Sequence, residues 1–264
     1  MTHKPKISIV TVVFNAESTI RSTIQSVLNQ NFNNMEYLLI DGKSTDNTIN
    51  IIEEYKDKIN IMISEKDDGI YDAMNKAIQL SDGEYIYFLN SDDIFYDEKT
   101  LSNIFDSLHN EYDVITCPVV VNSEKYNYTY LSNRRLIYKS LKKGKKIIHQ
   151  GLIIKQKLIK ELKGFDIRYK VCADFDLECR ITKLNGIKSK HLDRPLCIFD
   201  ADGVSNTIKA YVENFVILKK EFSLISGIIY FLKKFPIGIF KQIIFRNKLL
   251  LNTVIRISKN GKSK

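Results

Sequence analysis

The strongest constraint on this chain is a regular alternation of strand and helix signals from Ile7 to Leu108. Ile7 to Val13 is a β-branched, apolar run of the kind found in strands buried on both faces. Ile20, Ile24, Val27 and Leu28 then recur at helical spacing. Tyr37 to Ile40 reads as a second strand, ending at Asp41-Gly42. Ser44-Thr45-Asp46 supplies cap residues ahead of Ile49, Ile51, Ile52 and Tyr55. Ile59 to Ile63 is a third strand, and Ile70, Met74, Ala77 and Ile78 mark a helix after Gly69. Tyr85 to Leu89 is a fourth strand and Lys99 to Leu108 a further helix. This order predicts a doubly wound, mostly parallel α/β sheet flanked by helices. Ligands of such sheets bind outside the carboxyl ends of the strands, where Asp41 and the pair Asp92-Asp93 fall.

The remainder is less regular. Val114 to Val121 reads as a strand, and Phe175 to Leu184 as a helix preceded by Asp174. Lys139 to Lys146, with Arg135 before it, is a basic loop; it reads as a solvated surface in preference to a contact for an anionic acceptor. The four cysteines form no CxxC pair, as expected for reduced thiols in a cytoplasmic protein rather than a disulfide or zinc framework. No signal peptide is apparent, and no segment approaches the roughly 20 apolar residues that span a bilayer.

The net charge of +9 belongs to the tail: no acidic residue follows Glu221, and the cations from Lys233 to Lys264 account for all of it. The tail carries two amphipathic stretches separated by Pro236. Phe222, Ile225, Ile229 and Leu232 share a face of the first, and Phe240, Ile243, Ile244 and Leu251 a face of the second. An apolar face opposite lysine and arginine, without acids, predicts binding of residues 222–264 to an anionic membrane surface. Packing of these helices on the protein's own core is the competing arrangement. Nucleic acid is disfavoured by the neutral body and the lack of a recognised motif.

The apolar strand from Tyr85 runs into Asn90-Ser91-Asp92-Asp93. Two adjacent carboxylates at a sheet mouth can hold Mg²⁺ or Mn²⁺ on a diphosphate, and they can equally be turn or helix-cap residues. No GxGxxG follows the first strand, and no GxxxxGK[ST] occurs. Dinucleotide dehydrogenases and P-loop enzymes are thereby disfavoured, and a phosphate ligand here would need a cation in place of a glycine loop.

In sum these segments resemble family 2 glycosyltransferases. The resemblance rests on Ser8-Ile9-Val10-Thr11-Val12-Val13-Phe14-Asn15, on Leu39-Ile40-Asp41-Gly42-Lys43-Ser44-Thr45-Asp46 and on the run from Ser64 to Lys76. Asn90-Ser91-Asp92-Asp93 is similar to the family's metal motif. Gly164-Phe165-Asp166 followed by Ala173-Asp174-Phe175-Asp176-Leu177 and Arg180 is similar to its acceptor-side motif. The resemblance covers residues 5–205.

It implies a GT-A-like fold and an inverting transfer from a nucleotide-diphosphate sugar, UDP-linked, with Mn²⁺ or Mg²⁺ as cofactor. Val12 to Phe14 would line the base, Asp41 would accept a hydrogen bond from it, Asp92 would contact ribose or metal, and Asp93 would ligate the metal. Asp174 stands where the family carries its general base. Many members have Glu-Asp there and this chain has Ala173-Asp174, which leaves Asp176 as a rival. Asp68, Asn75 and Lys66 are further nucleotide contacts, His149-Gln150 a candidate acceptor contact, and Asp202-Gly203-Val204-Ser205 a candidate closing loop. The implied acceptor is a lipid-linked oligosaccharide or surface polysaccharide; transfer to polyprenyl phosphate and a non-catalytic sugar-nucleotide-binding module are the alternatives. The implied organisation is a glycosyltransferase domain over 1–221, its nucleotide half to residue 110 and its acceptor half from 111, then a basic tail over 222–264 on the inner face of the cell membrane.

Overall fold

The computed structural model describes residues 6–108, 111–123, 125–201 and 208–234. The predicted second tail stretch around Phe240 to Leu251 and the predicted closing loop from Asp202 to Ser205 lie outside these residues.

Among the described residues the strands are β1 (Ile7–Val13), β2 (Met35–Asp41), β3 (Ile61–Ser64), β4 (Tyr85–Phe88), β5 (Ile94–Phe95), β6 (Val114–Thr116), β7 (Val119–Ser123), β8 (Tyr128–Ser132), β9 (Leu152–Lys155), β10 (Ser189–His191) and β11 (Cys197–Asp200). The helices are α1 (Ile20–Leu28), α2 (Thr48–Glu53), α3 (Ile70–Leu80), α4 (Thr100–Asp106), α5 (Tyr138–Leu141), α6 (Gln156–Glu161), α7 (Ala173–Lys183) and α8 (Ile208–Glu221), and residues 224–234 are also helical. A seven-stranded sheet runs β10-β6-β9-β4-β1-β2-β3, and a four-stranded one runs β5-β11-β7-β8. Residues 6–141 and 145–201 pack as one unit, and α8, residues 224–234 and Lys142–Gly144 as another.

β1 is central to the large sheet and buried along its whole length, which explains its unbroken apolar character. It pairs in parallel with β2 on one side and β4 on the other. The order therefore reverses between β1 and β4, and the carboxyl ends of these strands open the crevice where such sheets bind ligands. Side chains alternate between the faces: Ile7, Ile9, Tyr37, Leu39, Tyr85 and Tyr87 share one core cluster with Ile20 and Ile24 of α1 and Ile51 and Ile52 of α2. α3 packs on β1 and β2, and Phe88 meets Phe165 with ring centroids 5.4 Å apart.

The structure corrects two details and adds one strand. The predicted strand Val114 to Val121 breaks at Cys117-Pro118, so β6 belongs to the large sheet and β7 to the small one; proline has no N–H to continue a ladder. The apolar run after His149 is β9, which inserts antiparallel between β4 and β6. The basic segment is not wholly a solvated loop: Tyr138–Leu141 is helical, and the partly buried Lys146 reaches Asp174.

Candidate active site

The crevice at the carboxyl ends of β1, β2 and β4 is rich in carboxylates. Asp41 closes β2, pairs with Val13 and Ser64 in register, and is fully buried. Its Oδ1 accepts from Ser44 Oγ at 2.5 Å and its Oδ2 from Ser64 Oγ at 2.6 Å. These contacts tie the β2 end to the loop after it and to β3. Phe14, just past β1, is 61% exposed, whereas Val12 is buried. A Cβ on Gly42 would lie 2.5 Å from Asp67 Oδ2 and 3.5 Å from Phe14, so glycine here leaves room for the Asp67 carboxylate of the β3–α3 loop. Sequence reasoning singled out Asp68 in that loop, but the carboxylate packed against Gly42 is that of Asp67; adjacent aspartates cannot be told apart without the backbone direction. Asp68 is exposed, its N–H donating to Asp72.

Asn75 is engaged by the protein's own backbone. Its amide donates to Phe165 O at 2.9 Å, and its Oδ1 accepts from Phe165 N at 2.8 Å. Both ends of the side chain thus clamp the backbone after Gly164, a residue at φ 65 whose Cβ would collide with Asn75.

Asp92 and Asp93 differ in their surroundings. Asp93 is fully buried: its Oδ2 accepts from Gln150 Nε2 at 2.7 Å and its Oδ1 from Asp200 N at 3.0 Å. Burial pushes its carboxyl well above the usual carboxylate range, and the Asp92 charge adds to this. Asp92 is half-buried and is raised by burial and by Asp200. Three carboxylates therefore meet at one corner. Beside them Asn90 Oδ1 and Gln150 Oε1 are buried without a hydrogen-bond partner. Hard oxygen donors of this kind, two of them without a partner, fit Mg²⁺ or Mn²⁺ in chemistry. Among the described residues, no group of three or more His, Cys, Asp or Glu side chains is already arranged to hold a metal ion.

Asp174, in the first turn of α7, is buried and faces Tyr71, Lys146 and His149. The Tyr71 hydroxyl lies 3.2 Å from Oδ1, Lys146 Nζ 3.4 Å from Oδ2 and His149 Nδ1 3.8 Å from Oδ2. Burial alone would raise this carboxyl, but Lys146 and His149 outweigh it and hold it below the usual range. One turn on, the fully buried Glu178 is pushed well up by burial and by Asp174, and its Oε1 has no partner. Asp176, the rival base, is fully buried and ion-paired with Arg180 at 2.7 Å; Arg180 also donates to Leu162 O and Gly164 O. Through Arg180, Asp176 is tied to the backbone at Leu162 and Gly164, whereas Asp174 meets Tyr71, Lys146 and His149. Lys146 and Glu178 escaped sequence reasoning because a lysine in a basic run and a glutamate in a helix both read as surface.

The family model for "Glycosyl transferase family 2" matches residues 8–172. A PGL/p-HBAD biosynthesis glycosyltransferase of Mycobacterium bovis is 26% identical over 211 residues, 77% of this chain and 80% of the relative. The putative teichuronic acid biosynthesis glycosyltransferase TuaG of Bacillus subtilis is 35% identical over 99 residues, 36% of this chain and 39% of the relative. Staphylococcus aureus TarS 1–349, solved with UDP-GlcNAc, superposes with TM-score 0.64 at 20% identity, covering 82% of this chain; the chain spans 66% of that one. The mannosyltransferase PcManGT of Pyrobaculum calidifontis, solved with GDP-Man and Mn²⁺, gives TM-score 0.65 at 15% identity, covering 90% of this chain and 72% of that one. These likenesses show a GT-A fold, and with a family match over more than half its length the chain belongs to glycosyl transferase family 2.

Proposed function

We propose that this glycosyltransferase moves a sugar, with inversion, from a nucleotide-diphosphate sugar to a lipid-linked oligosaccharide or surface-polysaccharide acceptor. The observation that carries the reading is a division of labour among carboxylates. A crowded oxygen corner lies at the end of β4, with Asn90 Oδ1 and Gln150 Oε1 unpartnered, and a separate ionised carboxylate, Asp174, lies in a polar cluster at the start of α7. Asp174 takes the acceptor hydroxyl's proton as that oxygen attacks the anomeric carbon. A single base with no enzyme nucleophile implies one displacement and inversion. Asp92 and Asp93, with the oxygens of Asn90 and Gln150, would hold a divalent cation. When bound, it offsets the charge that grows on the departing diphosphate. Phe14 and Asp41, at the ends of β1 and β2, would line the base of the nucleotide. The solved complexes of similar proteins with UDP-GlcNAc and with GDP-Man and Mn²⁺ support a nucleotide-sugar substrate for this chain.

The partner surface follows from residues 208–234, where every exposed side chain is aliphatic or lysine. Ile208, Val212 and Val216 form a stripe on α8, and Ile225, Ile229 and Leu232 are exposed on the helix after it. Glu213 and Glu221 are buried. Aliphatic side chains ringed by lysine, with the acids withdrawn, complement an anionic lipid surface. The enzyme would then lie on the inner face of the cell membrane beside a lipid-linked acceptor. No helix among the described residues is long and apolar enough to cross a membrane.

The test is nucleotide release from a panel of UDP- and GDP-sugars with Mn²⁺ or Mg²⁺. Asp174→Asn should cut turnover by about 10²–10⁴-fold while nucleotide binding persists. Full turnover in that variant removes Asp174 from its role, and nucleotide binding without release from any donor favours a binding module.

A further inference from the structure

The chain between β8 and β9 carries charge of one sign. Residues 125–160 contain no acidic side chain, and Arg134, Arg135, Lys139 and Lys145 are exposed within them. Among the described residues none of these four cations is paired with a carboxylate. Elsewhere on the surface arginines do find acids, Arg21 with Glu54 and Arg168 with Asp166. Despite its exposure the segment is tied down. His191 Nε2 meets Asn133 Oδ1 at 2.6 Å, Lys145 N donates to Ser140 O at 3.0 Å, and α5 packs on α7 through the fully buried Leu141. Arg134 Nη1 donates to Lys146 O at 3.1 Å, and Nζ of that same lysine lies 3.4 Å from Asp174 Oδ2. One lysine therefore separates the Arg134 guanidinium from the carboxylate read as the base. The bond to Lys146 uses one N–H of the guanidinium, and the others have no protein partner among the described residues. A planar guanidinium fork matches phosphate oxygens two at a time, and cations gathered without acids favour an anion among them.

We propose that Arg134 and Arg135, with Lys139 and Lys145 adding charge, form an anion subsite for the diphosphate that joins the acceptor's saccharide to its lipid. The inference rests on the reading of Asp174 as the base and of the acceptor as lipid-linked. It adds where the linkage sits. With Arg134 this close to Asp174, only a short saccharide fits between the diphosphate and the hydroxyl that attacks. The transfer then takes place near the lipid linkage and not at the far end of a long polymer. A phospholipid headgroup offers the same phosphate chemistry, but a headgroup needs no contact beside the base, whereas a lipid-linked acceptor must bring its hydroxyl there.

Titration calorimetry of the full chain with inorganic pyrophosphate tests the subsite without donor or acceptor. EDTA in the buffer keeps divalent cations from the corner at β4. Arg134→Gln combined with Arg135→Gln should weaken pyrophosphate binding about tenfold or more. Arg135→Gln alone breaks no hydrogen bond to the described protein and should already weaken it, which keeps the test open if the pair fails to fold. Lys56→Gln combined with Lys58→Gln removes the same charge from an exposed turn before β3 and should change affinity by less than about twofold. Absence of binding in the wild type, undiminished binding in the arginine variants, or equal weakening by the lysine pair overturns the proposal. Flotation separates the two sources of phosphate. The arginine pair should float with phosphatidylglycerol vesicles as the wild type does; a loss of flotation would assign these arginines to phospholipid and overturn the acceptor subsite. Arginine-dependent pyrophosphate binding with no nucleotide release from any donor would sink the transfer reading and leave an anion site. Release from a donor with arginine-independent pyrophosphate binding would sink the subsite alone.

Discussion

Gln150 donates its side-chain amide to Asp93 Oδ2 at 2.7 Å, with both residues fully buried. The bond joins the turn before β9 to the loop after β4, and Asp200 N completes the link to β11. Removing the amide leaves a buried carboxyl short of a hydrogen-bond partner. Gln150→Ala should therefore cost about 1–3 kcal/mol in urea unfolding. A loss below about 0.5 kcal/mol would show that the loop relaxes without this bond.

Lys146 offsets the burial of Asp174. In Lys146→Met that burial is unopposed by the ammonium, so the carboxyl's pKa rises. The base form is then lost at higher pH than in the wild type. The acid limb of the kcat profile should move upward, and activity at pH 6 relative to pH 8 should fall. An unmoved acid limb would separate Lys146 from the ionisation of Asp174.

Glu178 carries the opposite sign. Its folded-state pKa is raised, so between the ordinary glutamate value near about 4.3 and the folded value the unfolded chain holds fewer protons. Stability contributed by this group therefore falls as pH rises through that window. Glu178→Gln keeps an oxygen for the Ile147 N–H that Glu178 Oε2 now accepts, and removes the titration. The variant should be more stable than wild type by about 1 kcal/mol or more at pH 8, with the difference vanishing near pH 4. A thermal midpoint that differs equally at both pH values would contradict this.

The Arg180–Asp176 pair ties α7 to the backbone at Leu162 and Gly164. Arg180→Met leaves Asp176 buried without its cation and should cost about 3–5 kcal/mol. Chemical denaturation measures it; a loss under about 1 kcal/mol would place Asp176 outside the scaffold and return it to candidacy as a base.

Docking to lipid by residues 208–234 predicts flotation with phosphatidylglycerol vesicles and little with phosphatidylcholine, weakening as salt is added. Val212→Asp combined with Ile225→Asp places two acids on the exposed aliphatic stripes and should abolish flotation while nucleotide release persists. Undiminished flotation of the double variant would move the lipid contact elsewhere in the chain.

Much of the fold was legible from local pattern. A strand such as β1 that is buried on both faces must be apolar throughout, and a helix such as α1 or α3 that is buried on one face must be apolar at helical spacing. The positions of Asp41 and Asp92-Asp93 at strand ends, and of Asp174 at a helix start, followed from the same periodicity. What sequence could not supply was direction and pairing over long separations. Nothing local distinguishes a parallel β9 from the antiparallel one that brings His149 and Gln150 to the ends of β4 and α7. Nothing marks Lys146, within a basic run, as the cation beside Asp174, or Asn75, on an amphipathic helix, as the clamp on Phe165. The residue types that can do the chemistry were determined by the sequence alone. Which of them meet was decided by the tertiary structure, because burial and distance set whether a carboxylate is a base, a cation site or a structural tie.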